Sequence, residues 1–328
     1  MIGQERSPGS SRPPTPWQQL AFLNPPDEVP DWRMVLLFDA AVDNGLLEAL
    51  PATAAAIAAD RGLDHHAVRV VLDGLALWDV VVTEGDDGYA PGPAAPGVDA
   101  VAVLRHHAGA IRRFVTITGR VRGVRPEPAP MPHPGMLVML DAMAVRGRES
   151  APGAVDACLA LAPDATSVLD LGGGHGQFAA EFARRGLRAV VQDRPEVIEL
   201  LRRRDWLDGT GVELFAGDFF ESVPDEAFDI VFCAGVAYTM SGERLVRLLR
   251  AVRPVVAPGG HLAVHTFLRG TDDLATLFLG EMLAVTDGGP HREDDLRRWA
   301  HEAGYAVTGV ERLERRPEWM LFAAPDGG

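Results

Sequence analysis

Three apolar runs in the 328-residue chain end in residues that could hold a ligand. The first is Val168-Leu-Asp-Leu171, followed at once by Gly172-Gly-Gly-His-Gly176. A short strand that runs into a glycine turn and then a helix lets the backbone come close to a ligand. Ligands of open parallel sheets bind at the carboxyl ends of the strands. Glycines 172, 174 and 176 are spaced G-x-G-x-G, whereas the dinucleotide spacing G-x-G-x-x-G needs a glycine at 177, where Gln177 stands. Asp170, just before the loop, is poorly placed beside a pyrophosphate and well placed beside a cationic amino-acid group, so the loop favours a ligand without phosphates. The second run, Ala189-Val-Val-Gln-Asp193, ends in an acid suited to ribose hydroxyls. The third leads to Gly217-Asp-Phe-Phe220, where Asp218 can accept from an exocyclic amine and Phe219 can pack on an adenine face. Each feature alone has a plain structural reading as a turn, a helix cap or a core ring. Their order across three strand ends predicts an S-adenosylmethionine site built from Asp170, Gly172, Gly174, Gly176, Asp193, Asp218 and Phe219, with Cys233, at the end of the next core strand, grouped with them.

Positioning these residues requires strands that alternate with helices. The pattern predicts strands at 167–171, 188–192, 212–215, 228–233 and 261–266. Helices are expected at 176–185, 196–204, 242–252 and 292–303, and a closing hairpin at 307–313 and 319–323. Such alternation implies a mostly parallel sheet with helices on both faces. Before it, helical spacing covers 32–44, Thr53 and Asp64 stand at N-cap positions, and a strand at 80–83 turns through Glu84-Gly-Asp-Asp-Gly88. Helix, turn, helix and a two-stranded wing is the winged-helix order. Further helices are expected at 101–118, 135–145 and 152–161, with a rigid Pro-rich connector at 125–134. The chain divides into a disordered leader (1–30), a winged-helix dimerisation and substrate-lid domain (31–150) and a Rossmann-like cofactor domain (151–328).

Bulk properties narrow the function classes. The apolar fraction is 47% and the charged fraction 23%, ordinary for a globular protein. The formal net charge is −15, which argues against broad binding of nucleic acid or anionic membrane. The chain contains no lysine, and arginine carries all of its positive side-chain charge, a compositional trait with no functional reading. The candidate recognition helix at 64–77 offers Arg69 as its only permanent cation, with His65 and His66, so dimerisation or a lid role is favoured over DNA binding. No apolar run approaches the length of a membrane span. The two cysteines, Cys158 and Cys233, read as small buried hydrophobes, and a cytoplasmic location is expected. His133, His265 and His291 lack ligand spacing, and the pairs His65-His66 and His106-His107 point in different directions on a helix, so no metal site is expected.

The chain resembles the small-molecule O-methyltransferases that carry an N-terminal winged-helix dimerisation domain, the plant phenolic and bacterial polyketide tailoring type. The residues that carry the resemblance are Val168 to Gly176, Asp193-Arg-Pro-Glu-Val197, Gly217 to Phe220 and Ala257-Pro-Gly-Gly260. Met139-Leu-Asp-Ala-Met143 and Gly288-Gly-Pro-His-Arg292 resemble family segments near the acceptor. The resemblance implies a seven-stranded Rossmann-like α/β domain, S-adenosylmethionine as cofactor, a homodimer with interlocked N-terminal domains, and a hydroxylated, often aromatic acceptor. It places Met139, Met143, Tyr238 and Met282 at the acceptor, along with Met131, Met136 and Met240. For any single methionine, core filling is an equal reading.

The sequence departs from the family where the acceptor proton is handled. The family's His-Asp pair after the fourth strand is replaced by Tyr238 and Thr239. A general base works best with a pKa near the operating pH, and a free tyrosine sits near ~10. Three readings stay open. The acceptor is acidic enough to need only alignment; or His265 or His291 is the base in place of Tyr238; or the chain does not methylate and uses the bound sulfonium electrostatically for cyclisation or hydroxylation. A ligand-responsive winged-helix regulator is the reading from outside enzymology.

Overall fold

The computed structural model describes residues 31–125, 134–314 and 316–327. The expected leader, most of the Pro-rich connector, Met131 and His133 lie outside the described residues. The chain forms two compact units that divide at Gly109/Ala110, while one helix runs through position 150/151, where the sequence placed its boundary.

In the first unit, α1 (Trp32–Asp43), α2 (Ala54–Arg61) and α3 (His65–Ala76) begin at side-chain caps. Asp31 accepts from the Arg33 N–H (2.9 Å), Thr53 from Ala56 (3.1 Å) and Asp64 from Ala67 (2.7 Å). Helices α1 and α3 bury Val35, Phe38 and Ala41 and Val68, Leu72 and Leu75. Strands β1 (Ala52–Thr53), β2 (Val81–Glu84) and β3 (Gly88–Pro91) form an antiparallel sheet in the order β1-β3-β2, which supplies the wing. Arg69 on α3 faces Asp73 of its own helix at 4.0 Å.

Helix α4 (Val98–Phe114) is followed by a short α5 (Ile117–Val121), so the single helix expected at 101–118 is interrupted. Helix α6 (Pro134–Leu161) joins the two helices expected at 135–145 and 152–161 and carries Pro152 inside it. An interior proline costs roughly 3 kcal/mol. Burial of Ala151, Ala154, Val155 and Cys158 against the sheet offsets that loss.

The second unit is built on a seven-stranded sheet. Its strands are β4 (Ser167–Leu171), β5 (Arg188–Asp193), β6 (Glu213–Ala216), β7 (Phe228–Ala234), β8 (Val256–Phe267), β9 (Tyr305–Arg312) and β10 (Glu318–Pro325), in the order β6-β5-β4-β7-β8-β10-β9. The strands from β4 to β8 run parallel, and β10 runs antiparallel to both its neighbours. Alternate strand residues feed two cores, as a sheet covered on both faces requires. Leu169, Val231, Leu262 and Val264 meet the residues of α9 (Gly242–Val252) and α11 (Glu293–Glu302). Val168, Ile230, Phe232 and Ala263 meet those of α6, α7 (Gln177–Arg184) and α8 (Pro195–Arg202). Helix α10 (Asp273–Val285), for which the sequence pattern gave no element, completes the unit. Strand β4 pairs with β5 on one side and β7 on the other, so the crevice at its carboxyl end is the switch point of the sheet.

Candidate functional site

At that switch point the glycine loop is held by its neighbour strand. The Gly172 and Gly173 N–H groups donate to the Gln192 carbonyl of β5 (2.8 and 3.2 Å), and Gly176 N–H donates to Gly173 (2.8 Å). Gly172 has φ +67°, and a Cβ there would lie 2.7 Å from the Val236 side chain, so both backbone and space demand glycine. Asp170 is fully buried beneath the loop, and neither carboxyl oxygen has a hydrogen-bond partner of normal geometry. Burial pushes its pKa up to about 7, against the pull of the nearby Ala179 N–H and with a push from the Asp193 charge. A cation brought to this carboxylate would satisfy it.

Asp193 ends β5 and turns back onto the loop, accepting from Gly174 N–H (2.9 Å) and Arg194 N–H (2.7 Å). Burial raises its pKa despite those two donors. Asp218 follows β6, is half-buried and accepts from Phe220 N–H (2.8 Å). Phe219 packs edge to face on Phe220 (4.9 Å) and reaches toward Gly172. Asp170, the three glycines, Asp193 and Phe219 are therefore brought together. Cys233 lies in the apolar core, its thiol pushed up to about 12 by burial and then by the Asp170 charge.

A second set of ionisable groups lines a cavity along α6 and the ends of β7 and β8. Its walls include Met143, Arg146, His175, Tyr238, His265 and Glu318. Arg146 on α6 donates through Nε (3.1 Å) and a terminal nitrogen to Glu318 Oε1, and stacks over Phe267 (4.9 Å). Burial opposes the charge on Glu318, but the Arg146 guanidinium outweighs it and holds the carboxyl below its usual range. Arg146 also reaches the Tyr238 hydroxyl. Burial pushes that hydroxyl up despite the guanidinium, with Glu318 and Glu281 adding to the rise. Tyr238 packs edge to face on Phe278 of α10 (4.9 Å). His265 is buried, and burial lowers its pKa to about 4 although Glu318 favours its charged form. His175, inside the glycine loop, accepts from Gln177 N–H at Nδ1 (3.1 Å) and is lowered to about 3 by burial and by the Arg146 and Arg148 charges. Gly147 allows the approach of α6 to this ring, since a Cβ there would lie 2.4 Å from the imidazole.

His291 is placed elsewhere. Its Nε2 lies 3.2 Å from the Ala237 carbonyl and 3.1 Å from that of Met240, so it donates there and clasps the turn that carries Tyr238. Burial lowers its pKa, with the carbonyl contacts opposing. Of the methionines, Met143 lines the cavity. Met139 is 40% exposed, Met282 is buried on α10, Met136 packs with Leu140 and Val197, and Met240 belongs to the core. Arg146, Glu318 and His175 were not singled out in the sequence. His175 at least stands inside the motif, whereas the ion pair joins two segments with no shared pattern. Among the described residues no cluster of His, Cys, Asp or Glu is arranged to hold a metal ion, and no helix is long and apolar enough to cross a membrane.

Comparison with known proteins agrees with this frame. Residues 144–310 match the model of the methyltransferase domain, and the chain belongs to that family. Two relatives can be named. The 3-amino-4-hydroxybenzoate 4-O-methyltransferase of Streptomyces cremeus is 34% identical over 154 residues, 44% of this chain and 42% of the relative. The mitomycin biosynthesis 6-O-methyltransferase of Streptomyces lavendulae is 34% identical over 137 residues, 40% of this chain and 38% of the relative. The chain thus spans well under half the length of these curated relatives. The structure of the mitomycin 7-O-methyltransferase MmcR is similar with a TM-score of 0.73 at 24% identity, over 89% of this chain and 94% of that one. Human N-acetylserotonin methyltransferase in complex with SAM gives 0.70 at 20% identity, over 90% and 94%. At these identities the likeness shows the fold: a Rossmann-like α/β unit with a helical N-terminal region.

Proposed function

We propose that the chain is an S-adenosylmethionine-dependent methyltransferase that acts on an oxygen of a small metabolite, aromatic or polyketide-like in character. The observation that carries this reading is Asp170, a buried carboxylate without a partner beneath a loop of left-handed glycines. An α-ammonium group would neutralise it, Asp193 has lone pairs left for ribose hydroxyls, and Asp218 with Phe219 would border the adenine. When bound, the cofactor supplies an electrophilic methyl group on a sulfonium. The chain's part is to align the acceptor hydroxyl, exclude water and receive its proton. The homologous relatives named above act on hydroxylated aromatic or antibiotic compounds, which supports the acceptor class.

Binding of a cation at Asp170 must displace the proton that burial favours. Affinity for S-adenosylhomocysteine is therefore expected to rise as pH increases from 5 to 8, with the change centred near the Asp170 pKa of about 7. Calorimetry across that range tests it, and an Asp170→Asn variant should bind weakly with no such dependence. Equal affinity at all pH values in the unaltered chain would remove Asp170 from the site.

Tyr238 favours a second reading, since burial keeps its hydroxyl protonated and unfit as a base at neutral pH. A chain that does not methylate would convert its acceptor without releasing S-adenosylhomocysteine. Incubation with labelled cofactor and candidate phenols separates the two readings. Assembly as a homodimer through the first unit is part of the proposal, supported by the family resemblance and by exposed Trp32 and Leu77, and light scattering tests it. The regulator reading has little support, because α3 presents only Arg69, already facing Asp73.

A further inference from the structure

The methyl-transfer reading leaves open what receives the acceptor proton. Four side chains near the cavity have chemistry to offer, and their engagements differ. The Tyr238 oxygen is held by Arg146. His291 Nε2 donates to two backbone carbonyls. His175 accepts at Nδ1, so its neutral ring carries the proton on Nε2 and offers no lone pair. His265 Nε2 is buried in the cavity wall with no hydrogen-bond partner.

Glu318 is the natural companion of His265. In the antiparallel pairing of β8 and β10, Glu318 stands opposite Phe267 and Met320 opposite His265, which makes Glu318 and His265 diagonal neighbours on one face of the sheet. Arg146 engages Glu318 at Oε1, and Oε2 is left buried without a partner. The wall of one cavity thus contains an imidazole nitrogen and a carboxylate oxygen, both buried and both without a hydrogen-bond partner, which a hydroxyl group pressed into that wall would satisfy. The charged and titratable groups around the imidazole are Glu318 on β10, Arg316 just before it, Arg146 on α6, His175 in the glycine loop and Tyr238 on the turn after β7.

We propose that His265 takes the proton from the acceptor hydroxyl, and that Glu318, fixed by Arg146, stabilises the imidazolium that results. The inference rests on the methyl-transfer reading. The acceptor O–H bond breaks with its proton going to Nε2. With the cofactor bound, the acceptor oxygen would use its freed electron pair to form the O–CH3 bond, the pair of the broken methyl–sulfur bond going to sulfur. No oxidant or reductant is needed. Glu318 is a positioning residue and His265 the catalytic one.

The test combines a titration with turnover. In protein labelled with 15N in its imidazoles, His265 should be neutral at pH 7 with a pKa of about 4, and Glu318→Gln should lower that value, because the lost carboxylate favoured the charged form. An unchanged titration would break the pairing. With 3-amino-4-hydroxybenzoate and catechol as phenolic probes, His265→Gln should lower kcat by roughly 100-fold, the low end of general base catalysis, because a pKa of about 4 lies below the operating pH, and Glu318→Gln by roughly 10-fold. With pentafluorophenol, already ionised at neutral pH, the His265→Gln variant should stay within roughly 3-fold of the unaltered enzyme, since no proton remains to be taken. Calorimetry should find S-adenosylhomocysteine affinity preserved in both variants. Loss of that affinity would reassign the residues to cofactor binding. Undiminished kcat in His265→Gln, or an equal loss with both kinds of phenol, would overturn the inference alone. An unaltered chain that releases no S-adenosylhomocysteine with any of these phenols would overturn the methyl-transfer reading and this one with it.

Discussion

The two sides of the crevice solve the problem of buried charge in opposite ways. At the glycine loop, Asp170 is buried with neither oxygen partnered, and its pKa climbs to about 7. Along α6, Glu318 is buried just as deeply but paired with Arg146, and its pKa is held down. The first arrangement leaves an unmet demand for a cation. The second is internally balanced, and its remaining polarity is one carboxylate oxygen and one imidazole nitrogen. A buried carboxylate without a partner speaks for a ligand more directly than a paired one, which is equally a structural device.

That contrast can be broken at several points. The largest effect is expected from Glu318→Ala, which strands the Arg146 guanidinium and should destabilise the chain by about 3–5 kcal/mol in urea unfolding. Replacing both partners by Met should restore most of that loss. Asp170→Asn is expected to do the reverse. A carboxyl whose folded-state pKa is raised contributes nothing adverse below its unfolded value and loses stability as pH rises through about 7. In the absence of cofactor the Asn variant should therefore match the unaltered chain near pH 4 and exceed it by up to about 4 kcal/mol at pH 8. A variant no more stable at pH 8 would mean that Asp170 has a partner after all. Gly172→Ala forces a side chain into left-handed backbone against Val236 and should lose about 1–2 kcal/mol from the backbone strain alone, along with cofactor affinity. The smallest change is expected from Tyr238→Phe, about 1 kcal/mol for one hydrogen bond. Its turnover should stay close to that of the unaltered chain if the hydroxyl is not the base.

The same two sides differ in how far the sequence revealed them. The glycine loop is five consecutive residues after an apolar run, and Asp193 and Asp218 stand at strand ends that periodicity locates, so the motif and its order were legible. The ion pair between Arg146 and Glu318 spans 172 positions and joins a helix to the last strand, which no local spacing can signal. Helix α10 escaped because Leu274, Leu277, Phe278, Leu279, Met282 and Leu283 spread apolar character around it rather than along one stripe. Helix α6 was split at Pro152 because local preference forbids an interior proline, while burial against the sheet carries the helix through it. The winged-helix order was readable because its caps, Thr53 and Asp64, are single residues with local work to do. His291 stood in a segment resembling the acceptor region, but its hydrogen bonds to the Tyr238 turn depend on a contact across about 50 residues.

Helix α6 also behaves as a mechanical part. Met143, Arg146, Gly147 and Ser150 face the cavity from one stretch, and Ala154, Val155 and Cys158 anchor the next stretch in the core. At a rise of about 1.5 Å per residue, Met143 and Val155 lie roughly 18 Å apart on a single rod. Interlocked core packing makes the anchored end stiff. A substitution such as Val155→Ala would then be felt as a tilt or slip of the arm that presents Arg146, so a change at a residue that does not itself line the cavity can detune it.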